Sequence, residues 1–155
     1  MPQLVRGGKY VFGWSRVSGD GRIVVPPEAL EDYQLLGEHK VILMSGSRTS
    51  GGFGLTTLEA LRGSKLSTLV KALEDLANFR LPEGETLKHN QRFYCWVHLR
   101  QGVFMVPLKT LECYGIKNGD YLLSARGSGL AIGFLVRGPI VNEAGQHSEI
   151  PVFER

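Results

Sequence analysis

Apolar and polar residues alternate over short runs in two parts of the chain and recur at helical spacing between them. Residues 10–17 and 93–99 read as strands, each followed by a polar turn, Ser18-Gly19-Asp20-Gly21 and Arg100-Gln101-Gly102. A short apolar strand comes next, Ile23-Val24-Val25 and Val103-Phe104-Met105-Val106, stopped by Pro26 and Pro107. Proline cannot continue a central ladder but suits the first turn of a helix. Short helices are predicted over 28–33 and 109–114, with Leu30 and Tyr33, or Leu111 and Tyr114, on one face. A turn, a strand (40–44 and 121–125), a Gly/Ser turn and a last strand from Gly52-Phe53 and Gly133-Phe134 complete each unit. Between the units, Leu66, Leu69, Val70, Leu73, Leu76 and Ala77 have the spacing of an amphipathic helix. Gly63-Ser64 is expected to break the helical stretch, with Ser64 or Ser67 as a cap. Residues 81–90, with Pro82 and Gly84, read as a linker. The last apolar group, Ile150-Pro151-Val152-Phe153, either adds an edge strand or lies loose.

The two units are copies. With a shift of 81 residues and no gaps, 12–53 matches 93–134 at eleven positions, among them Gly21/Gly102, Pro26/Pro107, Leu30/Leu111, Tyr33/Tyr114, Ser47/Ser128 and Phe53/Phe134. One copy of about 45 residues is too small to bury a stable core. Two copies on one chain can interleave, each covering the other's open strand edges. The chain is therefore expected to be a single intertwined domain over 1–155. Its parts are repeat one (10–55), a helical insert (56–90), repeat two (91–136) and a tail (137–155).

Composition narrows the function classes. A net charge of +3 over 155 residues, with 43% apolar residues, fits a folded protein. No apolar run is long enough for a membrane span, and 1–6 lack the apolar core of a signal peptide, so no membrane partner and a cytoplasmic location are expected. Two cysteines, Cys95 and Cys113, exclude a disulfide scaffold and read as small core residues. Neither they nor His39, His89, His98 and His147 have metal-site spacing. No nucleophile elbow, Walker motif or dinucleotide fingerprint is present, so no cofactor, no metal and no enzymatic activity are expected. No segment is strongly basic, and any nucleic-acid surface must rest on a few placed residues.

Gly21-Arg22-Ile23-Val24-Val25-Pro26, the short helix and the turn and strand after it resemble the swapped-hairpin domain of the AbrB, SpoVT and MazE family. Gly102-Val103-Phe104-Met105-Val106-Pro107, followed by Gly119-Asp120, resembles a second, diverged copy. The resemblance covers about 10–55 and 92–136, and two copies around a helical insert are similar to the layout of MraZ. It implies a mainly β fold with short helices, a pseudo-two-fold swapped-hairpin barrel made from the two repeats, and a DNA-binding transcriptional regulator. Arg22 matches the arginine after the motif's glycine, and Arg16 a basic position on the preceding strand. Guanidinium groups at such places fork onto phosphates or guanine edges. The chain departs from the pattern in three places. Ser18 stands where an acidic residue is common, Leu30 and Glu31 stand where some members begin the helix with arginines, and Val97 and Val103 are aligned with Arg16 and Arg22.

Other readings stand beside this one. Arg16 and Arg22 can instead be solvated strand residues paired with Asp20 or Glu28. The barrel can serve as a protein-interaction or assembly module without DNA, with Leu66, Leu69, Leu73 and Leu76 forming a homo-oligomer face or packing the insert onto the barrel. Residues 45–52 can form an anion nest through Ser47 and Arg48, or be a long hairpin loop. Tyr10, Phe12, Trp14, Phe93, Tyr94 and Trp96 can stack on single-stranded nucleic acid or fill the core seam.

Overall fold

The computed structural model describes residues 10–64, 67–127 and 130–155. Leu66 of the helical stripe and Ser128 and Gly129 of the second Gly/Ser turn lie outside these described residues. The chain runs β1 (Val11–Arg16), β2 (Arg22–Val24), α1 (Pro27–Asp32), β3 (Glu38–Ser45) and β4 (Phe53–Thr56). Then come α2 (Leu58–Arg62), α3 (Ser67–Ala72), α4 (Glu74–Ala77) and β5 (Leu87–His89). The order strand, strand, helix, strand, strand returns as β6 (Arg92–Arg100), β7 (Val103–Met105), α5 (Leu108–Cys113), β8 (Tyr121–Arg126) and β9 (Ile132–Leu135). It closes with α6 (Pro139–Ala144) and β10 (Val152–Phe153).

Local chemistry sets these elements. Pro26 and Pro107 occupy the position just before α1 and α5, whose first residues, Pro27 and Leu108, lie one residue earlier than the sequence pattern suggested. Both helices end on a left-handed residue, Gln34 at φ 56° and Gly115 at φ 74°. In each, the amide two residues past the last turn returns to a leucine carbonyl, Leu35 N to Leu30 O and Ile116 N to Leu111 O. Gly21 must be glycine. Its φ is 87°, and a Cβ there would lie 2.2 Å from the Val106 carbonyl oxygen. That approach lets Val106 N donate to Gly21 O, while Val25 N donates to Gly102 O.

The strands form one sheet in the order β10-β1-β8-β9-β4-β3-β6-β7-β2, with β5 added to β6. The sheet curls into a nearly closed barrel. β2 meets β1 across Ser15, whose hydroxyl donates to Val24 O at 2.6 Å and shares a hydrogen bond with Ser124. Every strand in 10–55 pairs with one in 91–136: β1 with β8, β2 with β7, β3 with β6 and β4 with β9. Ile23 faces Phe104, and Phe53 faces Phe134, so residues 81 apart meet each other.

Apolar side chains sort into an interior and two outer layers. Phe12, Ile23, Leu43, Phe53, Val97, Phe104, Leu111, Leu122 and Phe134 fill the barrel. Leu30, Leu111 and Tyr114 are buried there, and Tyr33 is half-buried against them. Helices α2, α3 and α4 cover the outer face of β3 and β6, where Leu61, Val70, Leu73 and Leu76 meet Ile42, Tyr94 and Trp96. Helix α6 and Ile150 cover Val11, Leu123 and Leu135 on the opposite side.

The insert and the tail hold more structure than their patterns suggested. The helical stripe breaks at Leu73, whose ψ of 53° is not helical and whose buried side chain faces the sheet. The Ser64 hydroxyl donates to Leu61 O at the end of α2, and Thr57 caps the start of that helix. The 81–90 stretch is not wholly linker, because Leu87 faces Tyr94 in the β5–β6 pair. Helix α6 starts at Gly138-Pro139, which reads as a turn signal, and its first residue lies 81 after that of α2. Ile150–Phe153 adds an edge strand parallel to β1, with Trp14 opposite Val152 and Ser15 opposite Phe153.

Candidate nucleic-acid interface

Arg16 ends β1 and Arg22 begins β2, so one turn carries both. The two residues are exposed because each sits where strand alternation points away from the barrel, next to buried Ser15, Val17 and Ile23. The turn between them is fixed by Ser18 N to Arg22 O and Gly21 N to Ser18 O. The Lys117–Asp120 turn packs on it through Val17 N to Asp120 O and Gly119 N to Val17 O. Asn118 Nδ2 reaches Gly19 O at 3.1 Å.

Each arginine has an acidic neighbour. Arg22 Nε lies 2.7 Å from Asp20 Oδ2, and the Arg22 amide donates to Asp20 Oδ1. That amide, together with the guanidinium, holds the Asp20 carboxyl below its usual range. Arg16 Nη1 lies 3.2 Å from Glu154 Oε2, and its guanidinium sits 5.8 Å from the centre of the Tyr121 ring. Of the two acids suggested for these arginines, Asp20 is the partner of Arg22. Glu28 instead accepts a hydrogen bond from Tyr10. All four ion-paired side chains at this turn are about half exposed.

The register revises the comparison of the two copies. Arg16 faces Tyr121 across β1 and β8. The residue 81 before Tyr121 is Lys40, and Lys40 faces His98 across β3 and β6. His98, and not the sequence-aligned Val97, therefore takes the place of Arg16. The first turn is one residue longer than the second, which displaces β1 by one position at Arg16, and a register shift between Val11 and Gly13 displaces the start of the strand once more. Val97 is buried in the barrel. At Arg22 the alignment holds, since Arg22 faces Met105 and Val103 faces Val24.

His98 is held as Arg16 is, by an acid from the segment that follows a repeat. Glu83 Oε1 lies 3.1 Å from His98 Nδ1, and Glu83 Oε2 accepts the His98 amide at 2.8 Å. Partial burial raises the Glu83 carboxyl, but these hydrogen bonds win and hold it below its usual range. Neither Glu83 nor Glu154 carried a sequence signal. Each became relevant only through the strand register.

Ser47 and Arg48 lie in the β3–β4 loop. The Ser47 hydroxyl pairs with Ser50 Oγ at 2.8 Å and accepts the Ser50 amide. The Arg48 carbonyl accepts from Arg137 Nη2 at 2.9 Å, while its side chain is exposed. Val136 N and Arg137 N donate to Ser50 O, which ties the loop to the strand beside it. The aromatic residues of β1 and β6 divide among all three apolar layers: Phe12 inside, Tyr94 and Trp96 under the insert, Trp14 beside α6. Among the described residues, no group of three His, Cys, Asp or Glu is placed to hold a metal ion. No described helix is long and apolar enough to cross a membrane. Cys95 is buried, and desolvation pushes its thiol up to about 11.

Protein-family models, curated proteins and solved structures contain no match to this chain.

Proposed function

We propose that the chain is a DNA-binding regulator, built as a swapped-hairpin barrel of two copies on the AbrB-like plan. The observation that carries this reading is the placing of Arg16 and Arg22, both exposed, on the two sides of one rigid turn. The pairing of every repeat-one strand with a repeat-two strand supports the swapped-hairpin part of it. Neither arginine is buried, so phosphate can replace its carboxylate partner at small cost. The test is anisotropy of labelled duplex DNA across a salt series. Binding that weakens with salt and is lost in Arg22→Ala supports the reading; no binding by the parent at low salt rejects it.

A second reading has its own observation. Met105, directly across from Arg22, is 51% exposed and Leu108 is 56% exposed. Arg22 is matched by Asp20, and Arg16 at the other end of the same turn by Glu154. A charge-balanced surface with exposed apolar residues fits a protein-interaction or assembly module, including pairing with a second copy. Met105→Glu separates the two. It dissociates a Met105-centred assembly in sedimentation equilibrium, and under the DNA reading it leaves the oligomeric state unchanged.

A further inference from the structure

We propose that residues Ile150–Arg155 are a displaceable mask over Arg16, so that the same segment which completes the sheet also holds the DNA-facing arginine in an occupied state. This inference rests on the DNA reading above and adds a form of regulation to it.

Four observations converge on the mask. The Trp14 amide donates to Pro151 O at 2.9 Å, which brings the segment alongside β1. Val152 and Phe153 then pair with Trp14 and Ser15, the two residues before Arg16. Beyond the pair, Glu154 reaches Arg16, and the Ser18 hydroxyl donates to the Arg155 main-chain oxygen. The segment thus covers both Arg16 and the start of the turn leading to Arg22. Finally, β1 is shaped for it: a Cβ on Gly13 would stand 2.7 Å from the Phe153 ring and 2.9 Å from Pro151 O. Any larger residue at Gly13 displaces the segment.

The docking is shallow, which makes it a mask and not a fixed part of the core. Only Ile150 is fully buried; Val152 is 48% exposed, and Glu154 and Arg155 are exposed. The strand is two residues long, and the Arg16–Glu154 pair lies in solvent, where such pairs contribute little. A row of DNA phosphates offers Arg16 a stronger field than one carboxylate. Arg22 is not covered by this segment, because its partner Asp20 comes from its own turn.

The experiment pairs a chemical probe that needs no DNA with a DNA titration. Modification of arginine by phenylglyoxal is followed residue by residue by mass spectrometry in the parent, in Glu154→Gln, and in the double variant Phe153→Ser/Glu154→Gln. The mask predicts that Arg16 reacts several-fold faster in the double variant while Arg22 keeps its parent rate. Glu154→Gln keeps the packing of Phe153 and gives an intermediate rate, so the result does not hang on the double variant alone. Arg16 reacting at the parent rate in both variants overturns the mask. With short duplex DNA, the double variant is expected to bind several-fold tighter, with a log K against log salt slope steeper by about 0.9. If Arg16 is freed and neither protein binds duplex at low salt, the mask stands and the DNA reading falls. If DNA binds equally well to both while Arg16 stays unreactive, the DNA reading stands and the mask falls.

Discussion

Phe53 and Phe134 face each other across β4 and β9, with ring centres 5.1 Å apart and planes 23° from parallel. They are 81 residues apart and both are buried. Phe104 meets both rings edge-on, at 6.0 Å and 5.8 Å. The middle of the barrel is thus an aromatic cluster contributed by both repeats. Phe134→Ala is expected to destabilise the chain by about 3–5 kcal/mol, the usual cost of emptying a buried phenylalanine site. The double variant with Phe53→Ala should fall short of the sum of the singles by about 0.5–1.5 kcal/mol, because the two rings contact each other. Urea unfolding of the four proteins measures both values. Additive losses would show that the rings stabilise the two repeats separately.

Gln34 gives a gain of stability. It closes α1 with φ at 56°, where Gly115 closes α5 with φ at 74°. A glutamine in the left-handed region carries a backbone penalty that glycine avoids. Gln34 is exposed, and Gln34→Gly is expected to stabilise the fold by about 1 kcal/mol, or ~2–4 °C in Tm for a chain of this size. Gly115→Gln should do the reverse. A calorimetric scan decides it, and a Tm that falls for Gln34→Gly would show that this penalty is not what governs the site.

How much of this was readable in the sequence follows from what each signal depends on. Strand alternation, the proline stops and the helix ends are local, and they located the five elements of each repeat within a residue or two. The 81-residue match predicted which residues are equivalent, and Ile23/Phe104 and Phe53/Phe134 do meet. It failed at Arg16, because an ungapped comparison cannot see that the turn at Ser18–Gly21 is one residue longer than its counterpart in the second repeat. The acids beside Arg16 and His98 were hidden for a different reason. Glu154 lies 138 residues from Arg16, and nothing in its local sequence announces that distance. Helix α6 was missed because Gly138-Pro139 signals a turn as strongly as a helix start.

The turn before β10 is expected to respond to pH. His147 Nδ1 lies 2.9 Å from Glu149 Oε1, and Nε2 lies 3.2 Å from Glu143 Oε1. Hydrogen bonds to Glu149 and then Glu143 raise the imidazole above its ordinary range. A group raised on folding adds stability that is complete below its unfolded pKa and lost as pH rises through its folded pKa. The Ile150 amide donates to His147 O, so this turn sets the course of the segment lying on β1. Hydrogen exchange at Ile150 and Trp14, corrected for its intrinsic pH dependence, should therefore quicken as pH rises through the His147 titration. In His147→Gln that dependence should disappear. A step of equal size in His147→Gln would assign it to another group.

His98 supplies the last prediction, because it marks where a second DNA contact is missing. Under the DNA reading, one half of the barrel presents Arg16 and Arg22, while the other presents His98 and Val103 at the equivalent places. The His98 ring is shorter than an arginine and already bonded to Glu83, and valine offers phosphate nothing. The parent should therefore show a shallow salt dependence, with Arg22→Ala reducing the slope of log K by about 0.9 per lost phosphate contact. Val103→Ala should lower stability and leave the slope unchanged. His98→Arg with Val103→Arg should restore the two-fold set and steepen the slope by about 1.8, for two added contacts. Val103 is half-buried on the outer side of β7, so the arginine has room to reach solvent. Glu83 will hold part of the new charge at 98, and adding Glu83→Gln should bring out the full increase. If the double arginine variant remains folded and binds duplex with the parent's slope, DNA does not lie across this face of the barrel.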